Sequence, residues 1–331
     1  MSVPLPSGTF RTGHDEHTLE HARCESGFYH SMNAPAGSPA AGRRRRRIDA
    51  PMWLLIAKLY AYIVWFMAKR CDFWLPGLGF LCRRVGREHV LRLGARKFLF
   101  DPGAASMYGT LIIGKSMEPE THHFLANVIP RVPTRAVFVD VGAAIGEMAI
   151  DAAGYANVDC VIAFDPDPDN AIACRRSAQL NAYDHVRVIE KAVADEVKTV
   201  HFQMNRGRGR SGEIRVRQEA TTEELLCTTL DQELPIMDRE YILKIDVEGA
   251  EHLVLKGAAR FLQVRRPLVI FEYISGRDHH MHEIRETLGQ SYTMFRLRSD
   301  GRLDRNFTKT WNCVAAHTDS VFQEICKELA T

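Results

Sequence analysis

The chain has 331 residues, 46% of them apolar, with 43 Lys and Arg against 41 Asp and Glu and a net charge of +2. That length and composition suit one sizeable α/β domain with appendages, or two modest domains, and exclude a chain too polar to build a core. The near balance of charge argues neither for nor against a nucleic-acid partner, and the eight cysteines form no CxxC pair and no zinc-like spacing. Scattered cysteines of this kind fit a reducing, cytoplasmic setting without structural disulfides.

Residues 1–50 are rich in Gly, Pro, Ser, Ala and His, lack a hydrophobic period and read as a disordered tail that turns basic at Arg43–Arg47. Met32 offers an alternative start, so the first thirty residues are expected to lie outside the native product. Residues 51–84 then carry MWLLIAKLYAYIVWFMA (52–68), apolar on every side except Lys58. As a helix this run is roughly 25 Å long, a little short of a bilayer's hydrocarbon core. Its aromatics (Trp53, Tyr60, Tyr62, Trp65, Phe66) and basic flanks (Arg43–Arg47, Lys69, Arg70) suit a membrane interface. Two readings stand. One is peripheral contact with the cytoplasmic leaflet through 43–82, with a bend at Pro76, Gly77 and Gly79; the other is a helix packed against the catalytic domain or a second subunit. No small-residue cleavage site follows closely, so the run does not read as a cleaved signal.

Residues 85–134 show short apolar alternations broken by Gly and Pro, which predict a few antiparallel strands and then a helix around 118–128. From residue 135 to 331, strands alternate with helices. The pattern predicts strands over 137–141, 161–164, 186–189, 242–246, 268–273, 293–297 and 313–316. Helices fit 147–156, 168–181, 250–262 and 279–288. Such alternation makes an α/β, mostly parallel sheet with helices on both faces.

The first strand ends in VFVDVGAAIGEMAI (137–150), where Asp140, Gly142, Ala143 and Gly146 mark a tight turn into a helix. Glycine lets the backbone approach a ligand, and the helix start supplies free N–H groups. The spacing is GxxxG rather than the GxGxxG that cradles a pyrophosphate, which favours a cofactor without a diphosphate. The second strand ends at Asp165, whose carboxylate suits ribose hydroxyls, whereas Asp167 and Asp169 read as caps of the next helix. Glu190, Lys191, Ala192 and Val193 fall where the chain passes an adenine edge.

Residues 242–258 read ILKIDVEGAEHLVLKGA. A strand covered on both faces should be continuously apolar, yet Lys244, Asp246 and Glu248 alternate onto one side. Burying them near the carboxyl end of a central strand is costly unless they are paired or used. Glu251 and Glu272 add to the same rim, and the cluster reads as functional; the structural alternative pairs Lys244 with Glu272 and gives Glu251 to a helix N-terminus.

FVDVGAAIG, AFDPDPDN, TTLDQEL and LKIDVEGAEHLVLKGA, followed by FEY, resemble the ordered motifs of FkbM-type methyltransferases over roughly residues 118–317. The resemblance implies the class I methyltransferase (Rossmann-like) fold, a seven-stranded sheet whose last strand is antiparallel, with S-adenosyl-L-methionine as cofactor. It also implies methyl transfer to a hydroxyl, commonly on sugars, glycolipids or polyketide-like products. Asp165 stands where Glu is usual in the family, and Ala144 where Asn is common.

An alcohol is a poor nucleophile until its proton is taken. Asp246 or Glu248 is expected to be the base, with Lys244 and Glu272 holding the geometry. A divalent metal bridged by Asp246 and Glu272 would do the same work, and the sequence does not choose. The loop NRGRGRSG (205–212) reads as a solvated hairpin tip or an anion grip, and His279, His280 and His282 as an exposed helix start. A nucleic-acid methyltransferase using Arg43–Arg47, and a non-catalytic membrane-tethered binding module, are the competing classes. No aromatic-interleaved basic face supports the first, and the joint presence of Asp140, Gly142, Gly146, Asp165, Asp246 and Glu248 argues against the second. Acceptor identity and oligomeric state leave no mark in the sequence.

Overall fold

The computed structural model describes residues 50–330 except 72, 74, 86–87, 101–107, 117, 203–222, 274–279 and 308–311. The basic tail, the Gly/Arg loop 205–212 and His279 lie outside these.

The apolar runs read as strands assemble into one eight-stranded sheet. Its order is Leu303–Asp304, Tyr292–Leu297, Asn312–His317, Leu268–Glu272, Glu240–Ile245, Ala136–Val141, Val158–Phe164, Val186–Ile189. The strands from Leu268–Glu272 to Val186–Ile189 pair in parallel, while Asn312–His317 inserts antiparallel to both of its neighbours. This is the class I methyltransferase order with one strand more than expected: Leu303–Asp304 folds back on Tyr292–Leu297 as a short antiparallel edge.

Alternation along the strands sorts side chains onto two cores. Val137, Val139, Leu243, Ile245, Val269 and Phe271 face helices Glu251–Lys256 and Ala259–Arg265. Phe138, Ile242, Ile270 and Val314 face helices Pro119–Val128, Glu147–Ala153 and Val321–Leu329. By the same alternation Asp140, Lys244, Glu272 and Asn312 fall on this second face, at the carboxyl rim. One helix was expected over 250–262. It is broken into two because a Cβ on Gly257 would lie 2.0 Å from the Ala194 carbonyl oxygen, where the chain crosses. That crossing segment starts a three-stranded sheet of Ala192–Val193, Glu223–Thr228 and Lys198–Phe202, which the sequence reading did not foresee.

The N-terminal helix runs over Ala50–Cys71 and is followed by Leu78–Val85. It is long and apolar enough to cross a membrane. Ala57, Ala61 and Val64 are buried against a cluster that includes Cys82, Phe100, Leu111, Ile112, Ile145 and Ala173. The packing reading therefore holds for one face of this helix.

The expected antiparallel strands are the hairpin His89–Leu93 and Arg96–Phe100. It docks on helix Pro168–Leu180 through backbone groups. Lys97 N–H donates to Asn181 Oδ1 at 2.9 Å, Asn181 Nδ2 donates to the Lys97 carbonyl at 2.6 Å, and Leu99 N–H donates to Ser177 Oγ at 3.0 Å. Removing the amide strands two backbone groups without partners. We expect Asn181→Ala to lower stability by about 2 kcal/mol with an unchanged m-value in urea. An unchanged unfolding midpoint would show that the hairpin adds nothing to the fold.

Candidate active site

Parallel pairing sets Asp140 directly opposite Lys244 on neighbouring central strands. The Lys244 side chain keeps only 4% exposure, and its Nζ lies 3.0 Å from Asp246 Oδ2 and 3.7 Å from Glu118 Oε1. Burial alone would strip its proton, but the charges of Asp246, Glu118 and Asp140 win and hold it firmly cationic. The ion pairs of Lys244 are not with Glu272, the structural alternative, but with two other carboxylates. Asp246, on the loop that follows the strand, and Glu118, at the start of helix Pro119–Val128, reach the ammonium instead.

Glu118 was not singled out from the sequence, because nothing local links residue 118 to residue 244. Its Oε2 accepts from Thr121 Oγ1 at 3.1 Å and from Asn312 Nδ2 at 3.3 Å. Asn312 stands opposite Glu272 in register, so four separate segments meet here. Burial lifts the Glu118 pKa to about 7, with Lys244 pulling it down and the charges of Asp246 and Glu147 adding to the rise. Glu272 is pushed up to about 9 by burial and then by the charges of Asp246, Glu248, Glu251 and Glu118. It therefore keeps its proton near neutrality and gains a donor O–H that a carboxylate lacks.

The two remaining acidic residues of the motif part ways. The strand ends at Ile245 and Glu248 takes a left-handed φ of 57°, so the alternation that aligns Lys244 with Asp246 does not carry on to Glu248. Glu251 Oε1 accepts from the Val247 and Gly249 N–H groups, each at 3.1 Å, and so holds the loop that carries Asp246.

The glycine turn is shaped by close approach of protein to protein. Gly142 has φ 81°, and a Cβ there would lie 1.8 Å from the Asp246 carbonyl oxygen; at Gly146, with φ 87°, it would meet Cys174 Sγ at 2.4 Å. Gly142 and Ala143 N–H groups both donate to the Phe164 carbonyl at 2.9 Å. Asp140 Oδ2 accepts from Ala149 N–H at 3.0 Å, while its Oδ1 is buried with no partner. Burial raises its pKa to about 6 against the pull of Lys244. Asp165 Oδ2 accepts from Ala144 N–H at 2.7 Å, and its Oδ1 accepts from Asp167 N–H and Asn170 Nδ2. Burial lifts Asp165 to about 6, opposed by those same hydrogen bonds. Asp167 caps its helix by accepting from Asp169 N–H. Ala192 is buried in the small sheet, paired with Cys227. An unpartnered buried carboxylate oxygen beside the glycine turn, with a second carboxylate at the next strand end, fits a nucleoside cofactor that bears a cationic sulfonium.

Two histidine sites complete the picture. His122 is clamped between Asp151 and Glu147, each at 2.8 Å. His252 and His280 stack with ring centroids 3.6 Å apart and planes at 10°. With Glu283 they bring donor atoms within 4.8 Å of one another. In-plane lone pairs of parallel stacked rings do not meet at one point, and Glu283 is already engaged by Lys256. Asp246 and Glu272 belong to no converging set of three donors among the described residues.

Burial opposes the His122 charge, but the hydrogen bonds its ring N–H groups donate to Asp151 and Glu147 outweigh it and raise its pKa to about 10. A raised pKa contributes stability that is full below the unfolded value of about 6.5 and is lost as pH climbs through about 10. We expect the melting temperature to fall across that window in the native chain, and His122→Gln to remove most of the slope. A melting temperature flat across it would refute the charged clamp.

Residues 140–297 match the family described as Methyltransferase FkbM domain. A search of curated proteins gives no match. Solved structures similar to the chain include methyltransferase FkbM from Methylobacillus flagellatus KT, at 17% identity and TM-score 0.41, covering 65% of this chain and 56% of that one. A ribosomal protein L11 methylase from Lactobacillus delbrueckii subsp. bulgaricus has 15% identity and TM-score 0.35, covering 61% of this chain and 79% of that one. A TehB-like SAM-dependent methyltransferase from Corynebacterium glutamicum has 12% identity and TM-score 0.38, covering 63% and 91%. The chain thus spans little more than half the length of the FkbM structure it matches. Through residues 140–297 this chain is thus similar to the methyltransferase FkbM domain family.

Proposed function

We propose that the protein is an O-methyltransferase acting on a hydroxyl of a sugar, glycolipid, polysaccharide or secondary-metabolite-like acceptor, in the cytoplasm and beside a membrane. The observation that carries this reading is the Lys244-centred group of carboxylates at the carboxyl end of the central strands, where open α/β sheets bind ligands. S-adenosylmethionine, when bound, supplies an electrophilic methyl group. Asp140 and Asp165 would hold it from the ends of the first two strands, Gly142, Ala143 and Gly146 would form the turn that receives it, and Ala192 would contribute to its nucleoside side.

Methyl transfer to an alcohol is an in-line displacement in which positioning supplies much of the rate. The acceptor's O–H bond breaks as its O–C bond forms, and the proton passes to the carboxylates that share Lys244. Asp246 contacts the hydroxyl. Its side chain keeps 25% exposure at the rim, and Lys244 holds it in place. Glu118, with a pKa of about 7, is matched to take up a proton at neutral pH. Glu272 carries a proton at the same pH and donates a hydrogen bond to the acceptor. Lys244 keeps the group from accumulating uncompensated negative charge.

Isothermal titration of S-adenosylmethionine against the full chain tests the cofactor assignment. Asp165→Asn is expected to weaken binding about tenfold, roughly 1.4 kcal/mol; equal affinity would remove Asp165 from the site. For any acceptor found to be methylated, kcat/KM should rise with pH through about 7 as Glu118 loses its proton, and Glu118→Gln should flatten that rise. Asp246→Asn should slow the chemical step by about 100-fold or more, and full activity in that variant would dismiss it as the base. Chelator-sensitive transfer would instead favour a metal held by Asp246 and Glu272.

A further inference from the structure

Helix Ala50–Cys71 is apolar on two faces, and the protein covers only one. Ala57, Ala61 and Val64 are buried, whereas Leu55 is 68%, Leu59 66%, Tyr62 53% and Phe66 46% exposed. At about 100° per residue, Met52, Leu55, Leu59, Tyr62, Ile63 and Phe66 share one arc of about 120° opposite the buried face. No charge enters that arc until Arg70 closes the helix. Lys58 and Lys69 run along one border. Two indoles flank the packed face, Trp53 beneath the Arg84 guanidinium at 5.8 Å and Trp65 beneath the Lys115 ammonium at 5.1 Å.

We infer that this face docks on an anionic lipid bilayer, with the helix lying in the plane of the headgroups. Charge decides the occupant. The helix has no acidic residue, carries Lys58, Lys69 and Arg70, and is preceded in sequence by Arg43–Arg47. A second copy of the chain seated on the same face would bring these like charges together, whereas an anionic surface answers them. The indoles and tyrosines along the borders suit the layer between water and hydrocarbon. The opposite face settles the orientation. Ala57, Ala61 and Val64 stay packed on Phe100, Leu111 and Ile112, so the helix cannot cross the bilayer without leaving the domain. It is an in-plane anchor. The catalytic rim is tied to it, because Lys69 pairs with Glu120 at 3.5 Å, two residues beyond Glu118. The inference depends on the methyltransferase reading only for placing the cytoplasmic leaflet as the surface.

The test is cosedimentation of the full chain with phosphatidylcholine vesicles, with and without added phosphatidylserine. Binding is expected to be about tenfold stronger on the anionic vesicles and to weaken with salt. Leu59→Glu with Ile63→Glu should abolish it while leaving the melting curve and the S-adenosylmethionine titration unchanged. Lys58→Glu, which leaves the apolar face whole, should weaken anionic binding severalfold. The inference is overturned if the full chain ignores anionic vesicles or if both variants bind as well as the native chain. It is also overturned if light scattering shows a dimer that the double variant disperses, since a second copy then covers the face. Vesicle binding in a chain that takes no S-adenosylmethionine would leave docking intact and reject the enzyme reading alone.

Discussion

An ammonium buried in the centre of a parallel sheet cannot stand alone, and the geometry around Lys244 follows from that constraint. Its 3.0 Å pair with Asp246 anchors the loop beyond the strand, and its 3.7 Å approach to Glu118 draws in the start of helix Pro119–Val128. Asn312, from the antiparallel strand, then bonds to Glu118 and Thr121. Segments far apart in sequence are thereby gathered on one rim. The same ion sets the chemistry, since it lets several carboxylates share a small volume while their proton affinities spread from Asp140 at about 6 to Glu272 at about 9. Groups pushed apart in this way can act as acceptor and donor at a single pH.

Close backbone contact is the second constraint. Gly142 passes so near the Asp246 carbonyl that no side chain fits. The turn after the first strand and the loop after the fourth parallel strand in sequence are therefore built against each other. Glu251 completes the arrangement by binding two N–H groups of that loop. The glycine at 142 thus serves the contact between the turn after the first strand and the loop that bears Asp246.

The N-terminal helix shows how one uniformly apolar segment can answer to two surroundings. Small residues at 57, 61 and 64 let it lie close on the domain, and large ones at 55, 59 and 66 remain outward. A sequence apolar on all sides poses packing and membrane contact as alternatives. The fold commits one face to packing and leaves the other exposed.

The sequence by itself determined the α/β alternation, the strand bearing Lys244, the glycine turn and the cap at Asp167, because each is a local pattern of spacing, polarity or backbone demand. Asp246 stood out for the same reason, as a charge where a buried strand should be apolar, and Asp140 as the start of a tight turn. Only the tertiary structure decided which partners those charges take. Glu118, His122 and Asn312 carry no local signal and reach the rim through chain crossings of more than a hundred residues in two of the contacts. The alternative Lys244–Glu272 pairing gives way to Asp246 and Glu118 on the same ground, since sheet register and burial, not spacing, choose the nearest counter-charge. The break at Gly257 likewise arose from a carbonyl of a distant segment. Periodicity is written in neighbouring residues, whereas pairing and close approach are set by the path of the chain.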